Sequence, residues 1–348
     1  MASMTQPTTD YNMPTSTTNS NLPLIPMKSD INIKIARIEQ QISSTDNKLA
    51  GLVTLRETVC FHDNKAQAEK VIDLLLNTSS LVPKVIKFML PNVDPALQYE
   101  AAWALTNLCS GTSSQATRIV NMGIIPLAVD LMSSPSDDVS SQAAWLLGNL
   151  AGDGTTLRNR VLQANALTPL LQILSRPTCR MQTVRNAAWA LSNFCRNEPH
   201  PSFIHIVRAA LPTLARLLHQ SDDEDVIFDT CWALAYLTDS PDIAGGGECP
   251  QIEAVVNAGV CSRLVEILYH SQMQTPAPAL RALGNICTGN SHQTQAVIDG
   301  MALPCLLNLL SSTTKSNIKK EVCWTLSNIT AGSKKQIQAV IGKSLTES

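Results

Sequence analysis

The pattern of large apolar and polar positions along this chain is built on one short unit that recurs. Trp103 is followed four residues later by Asn107, and on a helix of 3.6 residues per turn these side chains lie on one face. The same spacing returns in five later pairs, which are Trp145 and Asn149, Trp189 and Asn193, Trp232 and Tyr236, Arg281 and Asn285, and Trp324 and Asn328. Successive first members are 42, 44, 43, 49 and 43 residues apart. A period of this length predicts a solenoid of stacked helical repeats.

A second pattern lies between these segments and predicts a shorter helix in each repeat. Gly or Asn ends one helix and a proline lies in the first turn of the next, where spare N–H groups tolerate it. The segments are 123–127, 165–171, 210–214 and 300–304. Three helices per repeat is the armadillo arrangement, whereas two would indicate HEAT repeats. The sequence therefore predicts an all-α, right-handed superhelical solenoid of armadillo repeats.

The ends of the chain and one long step interrupt this periodicity. Residues 1–46 should form a disordered tail with one short amphipathic helix, because only Ile31, Ile35, Ile38 and Ile42 recur at helical spacing there. Residues 47–348 should form the armadillo domain of about seven repeats, the first degenerate and the last an incomplete fragment from about Lys335. The triple glycine at 245–247 lacks a following Gly-Lys-Ser/Thr, so we interpret it as a surface loop.

Composition argues against several classes of function. The formal net charge of -2 offers no bulk attraction to nucleic acid or to an anionic membrane, and no apolar run is long enough to span a bilayer. The ten cysteines form no zinc-like spacing and favour buried thiols in an intracellular, soluble protein without a metal or cofactor. No Walker loop, H-E-x-x-H or G-x-S-x-G motif is present, which argues against an enzyme.

The repeated Trp and Asn residues suggest binding chemistry. A row of amides presents donors and acceptors to the backbone of an extended peptide. Slots between successive indoles would take the stems of Lys or Arg, with a cation–π attraction of about 0.5–2 kcal/mol per contact. A single helical Trp is more often core packing, but an amide repeated at the same position should face solvent or a ligand. The pattern favours a groove for a linear, basic peptide.

These segments resemble importin alpha, the armadillo-repeat adaptor for nuclear localisation signals. The resemblance runs in order from about Pro83 to Gln338, through 102–107, 148–154, 191–197, 236–239, 280–285 and 324–332. It implies transport between cytoplasm and nucleus and partners that carry Lys/Arg-rich signals. It also implies a major signal-binding site at Trp103, Asn107, Gly111, Trp145, Asn149, Asp153, Trp189, Asn193, Arg196, Asp229, Trp232 and Tyr236. The implied minor site comprises Arg281, Asn285, Gly289, Thr294, Glu321, Trp324 and Asn328.

Two departures from that family change the expectation. The lysine pocket of the family combines a glycine carbonyl, an aspartate and a threonine hydroxyl; Gly111 and Asp153 match, but Ala116 stands at the threonine position and Thr117 comes one residue late. A helix step of one residue turns a side chain by about 100°, so we expect weaker lysine binding. The first 43 residues contain only three cations, Lys28, Lys34 and Arg37, so we do not expect importin beta to be recruited by the usual basic segment.

Two other interpretations remain open at this stage. The chain could be an armadillo scaffold that binds an acidic or apolar partner, as catenin-like proteins do, although Asp153, Asp225, Asp229 and Glu321 give the groove the opposite charge. It could also bind signals without carrying them through the import cycle, as a competitor.

Overall fold

The computed structural model describes residues 28–60, 65–197, 206–239, 249–269 and 276–346, and within these ranges the regular elements are all helical. The helices stack in consecutive layers along the chain, each layer contacting the one before it and the one after it. The all-α armadillo solenoid predicted from the sequence is confirmed. Most of the predicted tail and the loop around residues 243–248 lie outside the described residues.

Two helices precede the regular repeats. They are α1 (Lys28–Ser43) and α2 (Lys48–Thr58). Ile35, Ile38 and Ile42 of α1 are buried against α2. The approach is close, because a Cβ on Gly51 would lie 2.8 Å from Cγ1 of Ile42. The helix predicted in the tail is thus part of the solenoid, and the stack extends upstream of residue 47.

Six repeats follow. Their first helices are α3 (Lys65–Thr78), α6 (Ser113–Val120), α9 (Thr155–Gln163), α14 (Pro250–Asn257) and α17 (Ser291–Asp299); the corresponding segment of the fourth repeat lies mostly outside the described residues. Their second helices are α4 (Leu81–Ile86), α7 (Ile124–Leu131), α10 (Leu167–Ser175), α12 (Arg208–Gln220), α15 (Cys261–Tyr269) and α18 (Ala302–Ser312). Their third helices are α5 (Pro95–Leu108), α8 (Asp137–Asp153), α11 (Met181–Cys195), α13 (Glu224–Thr238), α16 (Ala277–Ile286) and α19 (Ser316–Thr330). A final helix, α20 (Lys334–Thr346), lies where the opening of another repeat was predicted.

The corner between first and second helices uses a left-handed residue. Gly123 (φ 89°), Asn165 (φ 60°) and Gly259 (φ 71°) take this conformation, which Gly and Asn adopt at low cost. In the sixth repeat the left-handed residue is Met301 (φ 65°), whereas Gly300 has φ -71°. Gly300 ends α17, as the sequence pattern predicted, but the left-handed conformation lies on the residue after it.

A glutamine clasp fixes the start of three first-position helices. At α6, Gln115 accepts from the Thr112 N–H (2.9 Å) and donates Nε2 to the carbonyl of Glu69 in the preceding repeat (2.8 Å). Gln336 forms the same clasp at α20, and Gln293 at α17 differs in donating to the carboxylate of Glu253 instead of a carbonyl. A Cβ on Gly111 would lie 2.2 Å from Oε1 of Gln115, so the clasp requires glycine there. The clasps hold these three helices against the preceding repeat.

The core runs continuously along the stack and is mainly Leu, Ile, Val and Ala. Most of the described cysteines are buried in it, and burial raises the pKa of Cys109 and of Cys195 to about 12. Cys323, which the sequence placed among the buried thiols, is exposed. Within the described ranges no single helix has the length and apolar character to cross a membrane, although the bent pair α17 and α18 would pass that test together.

Candidate functional site

The candidate site is the row formed by consecutive third helices, in the order α5, α8, α11, α13, α16 and α19, with α2 preceding α5. Every Trp of the repeated pattern lies on this row and is half-buried. The structure therefore brings together Trp103, Trp145, Trp189, Trp232 and Trp324 on equivalent positions of the stacked helices, as the spacing predicted. Half-burial means that each indole packs against its neighbours and still presents part of its surface.

Small residues on the preceding helix make room for the indoles. A Cβ added to Gly148 would lie 2.7 Å from Cζ3 of Trp189, and one on Gly284 would lie 2.4 Å from Cζ3 of Trp324. Each glycine stands three residues after the first member of its own pair. The sequence analysis did not use this position, although the Trp145-x-x-Gly148 spacing carries the signal. The two indoles thus rest directly on the backbone of the previous repeat.

The faces of the indoles are occupied by other side chains of the protein. Trp145 and Trp189 stack on each other, with ring centroids 4.2 Å apart and planes inclined by 23°. Trp232 stacks on Tyr236 of its own helix, at 5.6 Å and 21°. At the two ends of the row an arginine covers the indole, Arg56 over Trp103 and Arg281 over Trp324. The slots predicted between indoles are therefore closed between Trp145 and Trp189 in this conformation.

Three of the asparagine amides donate to backbone carbonyls of the preceding layer instead of pointing away from the solenoid. Nδ2 of Asn107 donates to the carbonyl of Arg56 at 3.1 Å, Asn285 to that of Ala235 at 2.8 Å, and Asn328 to that of Gly284 at 3.3 Å. Each acceptor belongs to the preceding layer. An amide has two N–H donors and one acceptor, so a single bond of this kind leaves further hydrogen-bonding capacity.

The other two amides, those of Asn149 and Asn193, differ from this pattern. Asn149 donates to the carbonyl of Trp145 in its own helix at 3.0 Å and is half-buried. Asn193 is buried, with its amide 3.4 Å from where a Cβ on Gly152 would lie. The expectation that every amide faces a ligand therefore fits Asn107, Asn149 and Asn328, which are half-buried, better than Asn193 and Asn285, which are buried.

A polar residue three positions before the aromatic ties four of the third helices, α5, α8, α11 and α19, to the preceding layer, and the sequence analysis missed it as a pattern. Glu100 pairs with Arg56 and Glu321 with Arg281, at 2.8 and 2.5 Å. Gln142 donates to Thr106 Oγ1 at 3.0 Å and Asn186 to Ser141 Oγ at 2.9 Å. Asp229 occupies the same position of α13 and is only 3% exposed, so it lies inside the stack rather than on the groove surface.

The predicted lysine pocket has an exposed carboxylate and a hydroxyl that the sequence analysis overlooked. Ser113 Oγ donates to Oδ1 of Asp153 at 2.9 Å, joining the start of α6 to the end of α8. Ala116 is fully buried and Thr117 is half-buried, in keeping with their one-residue offset. Gly111 lies at the glutamine clasp, so its small size has a packing reason as well. Ser113 was visible in the sequence as the second hydroxyl residue after Gly111.

The predicted minor site is only partly exposed. Thr294 is 2% exposed, and its hydroxyl lies 3.4 Å from the carbonyl of Cys287, so this side chain faces the interior. Gly289 sits at the clasp of Gln293, where a Cβ would lie 2.0 Å from Oε1. Arg281, Glu321 and Trp324 form one group of touching side chains beside it. Oε2 of Glu321 is buried and makes no hydrogen bond.

Fewer of the acidic side chains along the row are free and exposed than the sequence suggested. Arg185 bonds both carboxylate oxygens of Asp223 and lies 3.5 Å from Asp225. Burial acts to raise the pKa of Asp223, but the hydrogen bonds from Arg185 and the Val226 N–H outweigh it, and the pKa lies below its ordinary value. Asp225 is thus partly neutralised, whereas Asp153 and Asp239 are exposed.

Arg196 lies at the end of α11, where the chain leaves the third helix. It is half-buried, and its carbonyl accepts a hydrogen bond from the guanidinium of Arg158, as does the carbonyl of Asn197. Arg158 is itself almost fully buried, and a cation at a helix carboxyl end is favoured by the helix dipole. This arrangement fixes the backbone that carries Arg196.

Comparison with known proteins agrees with this architecture. The armadillo/beta-catenin-like repeat family matches residues 71–110, 112–152, 157–196, 201–239, 249–288 and 290–331. An engineered protein of known structure superposes with a TM-score of 0.76 at 27% identity, covering 89% of this chain and 71% of that one. A designed armadillo repeat protein in complex with the peptide (KR)4 superposes with a TM-score of 0.63 at 26% identity, covering 72% and 99%.

Similarity to natural proteins is higher. Importin subunit alpha-1a of Oryza sativa subsp. japonica is 48% identical over 312 residues, which is 86% of this chain and 57% of that protein. Importin subunit alpha-3 of Arabidopsis thaliana is 45% identical over 299 residues, covering 82% and 54%. The chain thus spans about half the length of these relatives. Six armadillo repeats and this identity over most of the chain establish that it belongs to the importin alpha family.

Proposed function

We propose that the chain binds Lys/Arg-rich nuclear localisation signals along the row of third helices and serves as an import adaptor between cytoplasm and nucleus. The observation that carries the proposal is the row itself, with half-buried indoles on successive layers and an exposed carboxylate, Asp153, beside them. Its family membership supports a binding role without catalysis. A designed relative of the same fold was solved with the alternating basic peptide (KR)4, which is the ligand chemistry proposed for this chain.

Recognition in the central part of the row has two steps. Asp153, with its partner Ser113, supplies an acceptor pair for the ammonium of one lysine. The apolar stem of a neighbouring cation then needs an indole face, and the stacked pair Trp145 and Trp189 must separate to provide it. The cation–π attraction that replaces the stack, about 0.5–2 kcal/mol, offsets the loss of an aromatic interaction of similar size. Affinity along this segment therefore depends mainly on the carboxylate and on the amide of Asn149.

The second group of residues, Arg281, Glu321, Trp324 and Asn328, would bind a second basic cluster. The oxygen of Glu321 that makes no hydrogen bond is buried, so it would accept from a ligand N–H donor only after the surrounding side chains move. Because Thr294 faces the interior, we expect a smaller contribution here than from the segment around Asp153.

The test is fluorescence polarisation with a labelled Lys/Arg-rich peptide and an acidic peptide of the same length. We expect the basic peptide alone to bind, and Asp153→Asn or Asn149→Ala to weaken it by about tenfold. Asp130→Asn removes an exposed carboxylate of the second helix α7, off the row, and serves as the control. Preference for the acidic peptide would favour a catenin-like scaffold instead. Equal affinity for the basic peptide in Asp153→Asn and the wild type would rule out the proposed site.

Binding without transport is the alternative function. It is distinguished by adding the chain to an import assay in permeabilised cells with a fluorescent cargo that bears the peptide. Accumulation of cargo in the nucleus supports an adaptor. If the chain instead inhibits the import that an added, functional adaptor system carries out, it is a competitor.

A further inference from the structure

The first indole of the row is covered by an arginine of the protein itself. The guanidinium carbon of Arg56, on α2, lies 3.9 Å from the ring centroid of Trp103, on α5. Nε of Arg56 donates to Oε2 of Glu100 at 2.8 Å, and the side chains of Arg56 and Glu100 are only 20% and 14% exposed. The carbonyl of Arg56 accepts from Asn107 at 3.1 Å. Side chain and backbone of Arg56 are thus both held against the first repeat.

The other end of the row repeats this arrangement more loosely. Arg281 pairs with Glu321, three residues before Trp324, just as Arg56 pairs with Glu100, three residues before Trp103. The guanidinium of Arg281 lies 5.4 Å from the indole centroid, against 3.9 Å for Arg56. Glu321 also keeps a buried oxygen without a hydrogen bond, whereas Glu100 has no such atom. The Arg56 end is therefore the more completely filled of the two.

From this geometry we propose that Arg56 is a permanent internal occupant of the indole face of Trp103 that it covers, and that it ends the register of a bound peptide at Trp103. The inference rests on the proposed peptide-binding function. An incoming cation would have to displace Arg56 from Trp103 and would only replace the cation–π attraction that Arg56 gives up. Arg56 is tethered to the same stack, so its effective concentration exceeds that of a free ligand. The covered face of Trp103 consequently adds nothing to the affinity, and a bound cation can use only the opposite face of this indole.

The test compares three peptides on the wild type and on Arg56→Gln/Glu100→Gln. The double change leaves no stranded buried charge and keeps the Arg56 carbonyl for Asn107. One peptide is a lysine core, and the others add an arginine two residues beyond either end, because alternate residues of an extended chain share a face. We expect the wild type to bind all three within about twofold. The double variant should bind one extended peptide about three- to thirtyfold more tightly than the wild type does, and the core equally.

Two controls make the result specific. Arg180→Gln/Asp138→Asn removes another pair between repeats, one whose side chains are more than half exposed, and should change no affinity. Trp103→Ala should abolish the increase in affinity of the double variant, so that Arg56→Gln/Glu100→Gln/Trp103→Ala binds the extended peptide no more tightly than Trp103→Ala alone. Loss of affinity in the double variant would make Arg56 part of the binding surface and overturn the inference, as would the absence of any increase. Failure of the wild type to bind even the core would instead refute the proposed function, and the inference with it.

Discussion

The indole of Trp145 stacks on the indole of Trp189 across the boundary between two repeats, with 4.2 Å between ring centroids. The contact joins side chains 44 residues apart in the sequence and closes a slot that the spacing alone would leave open. Under the proposed function, its closure means that peptide binding and separation of two aromatic rings would be one event. The same contact also ties α8 to α11, so the proposed binding surface and the packing between repeats share these residues.

The stack gives a spectroscopic prediction. Two indoles this close couple their electronic transitions, so the circular dichroism spectrum should contain a paired band that Trp145→Phe removes. Titration with a Lys/Arg-rich peptide should reduce this band as a side chain enters between the rings. Trp324→Phe is the control, since Trp324 lies beside Arg281 and should not contribute. A band that stays constant at saturating peptide would show that binding leaves the rings together.

The asparagines should separate into structural and binding residues. Asn285 is 4% exposed and its bond to the Ala235 carbonyl is 2.8 Å long, so Asn285→Ala removes a buried hydrogen bond between layers, although the Thr238 hydroxyl still donates to that carbonyl at 3.1 Å. We expect it to lower the free energy of unfolding by about 0.5–1.5 kcal/mol. Asn149 bonds only within its own helix and is half-buried, so Asn149→Ala should cost less than about 0.5 kcal/mol while weakening peptide binding. Urea unfolding of both variants checks the first part, and equal destabilisation would contradict it.

The glycine beneath Trp324 should not tolerate a methyl group. In Gly284→Ala the new Cβ would lie 2.4 Å from the indole, which forces Trp324 out of its place. We expect a loss of about 1–3 kcal/mol in unfolding free energy, together with a change in tryptophan fluorescence. Gly154→Ala is the matched control, because no atom lies within 4 Å of its would-be Cβ and its backbone is extended (φ 162°). Similar unfolding curves for the two variants would argue against the tight contact.

Docking of α1 should depend on pH through Glu39. Hydrogen bonds from Ser80 and Lys84 lower the pKa of Glu39 below its ordinary value of 4.5. A lowered pKa in the folded state gives stabilisation that is complete above pH 4.5 and is lost as the pH falls through the folded value. Hydrogen exchange of α1 amides, corrected for the intrinsic rate, should therefore lose protection in acid. Glu39→Gln should remove that dependence, and an unchanged profile in the variant would assign it to another group.

The sequence predicted the architecture well because repeated spacing is a direct record of stacked helices. Trp103 to Asn107 and its five counterparts fixed the third helices and their equivalence, which the structure confirms. Contacts between layers were harder to predict from the sequence, since they depend on rotamers and on distances that no single repeat encodes. Nothing in the spacing of Trp145 and Trp189 distinguishes an open slot from a stacked pair. The left-handed Met301 was missed for a similar reason, because the neighbouring Gly300 satisfied the usual rule.

The row of third helices was predicted in outline, and the contacts along it were corrected in detail. Residue types located the row, but the direction of each amide depends on whether the nearest acceptor lies in its own helix, as for Asn149, or in the previous layer, as for Asn107. The acid of Asp229 was assigned to the groove from its sequence neighbours, whereas burial places it inside. Ser113 escaped notice because its partner, Asp153, is 40 residues away.

Asn107 donates to the Arg56 carbonyl in the preceding layer, so a ligand that bound this amide would also change how easily the superhelix deforms. A peptide strand that drew this amide toward itself would release one of the ties between α5 and α2, and the pitch at that joint would relax. Each such amide is a hydrogen-bonded link between adjacent layers, and its loss would make the joint between them easier to deform. A bound strand would thus alter the stiffness of the solenoid, so that extension under force should differ between the empty and the occupied protein.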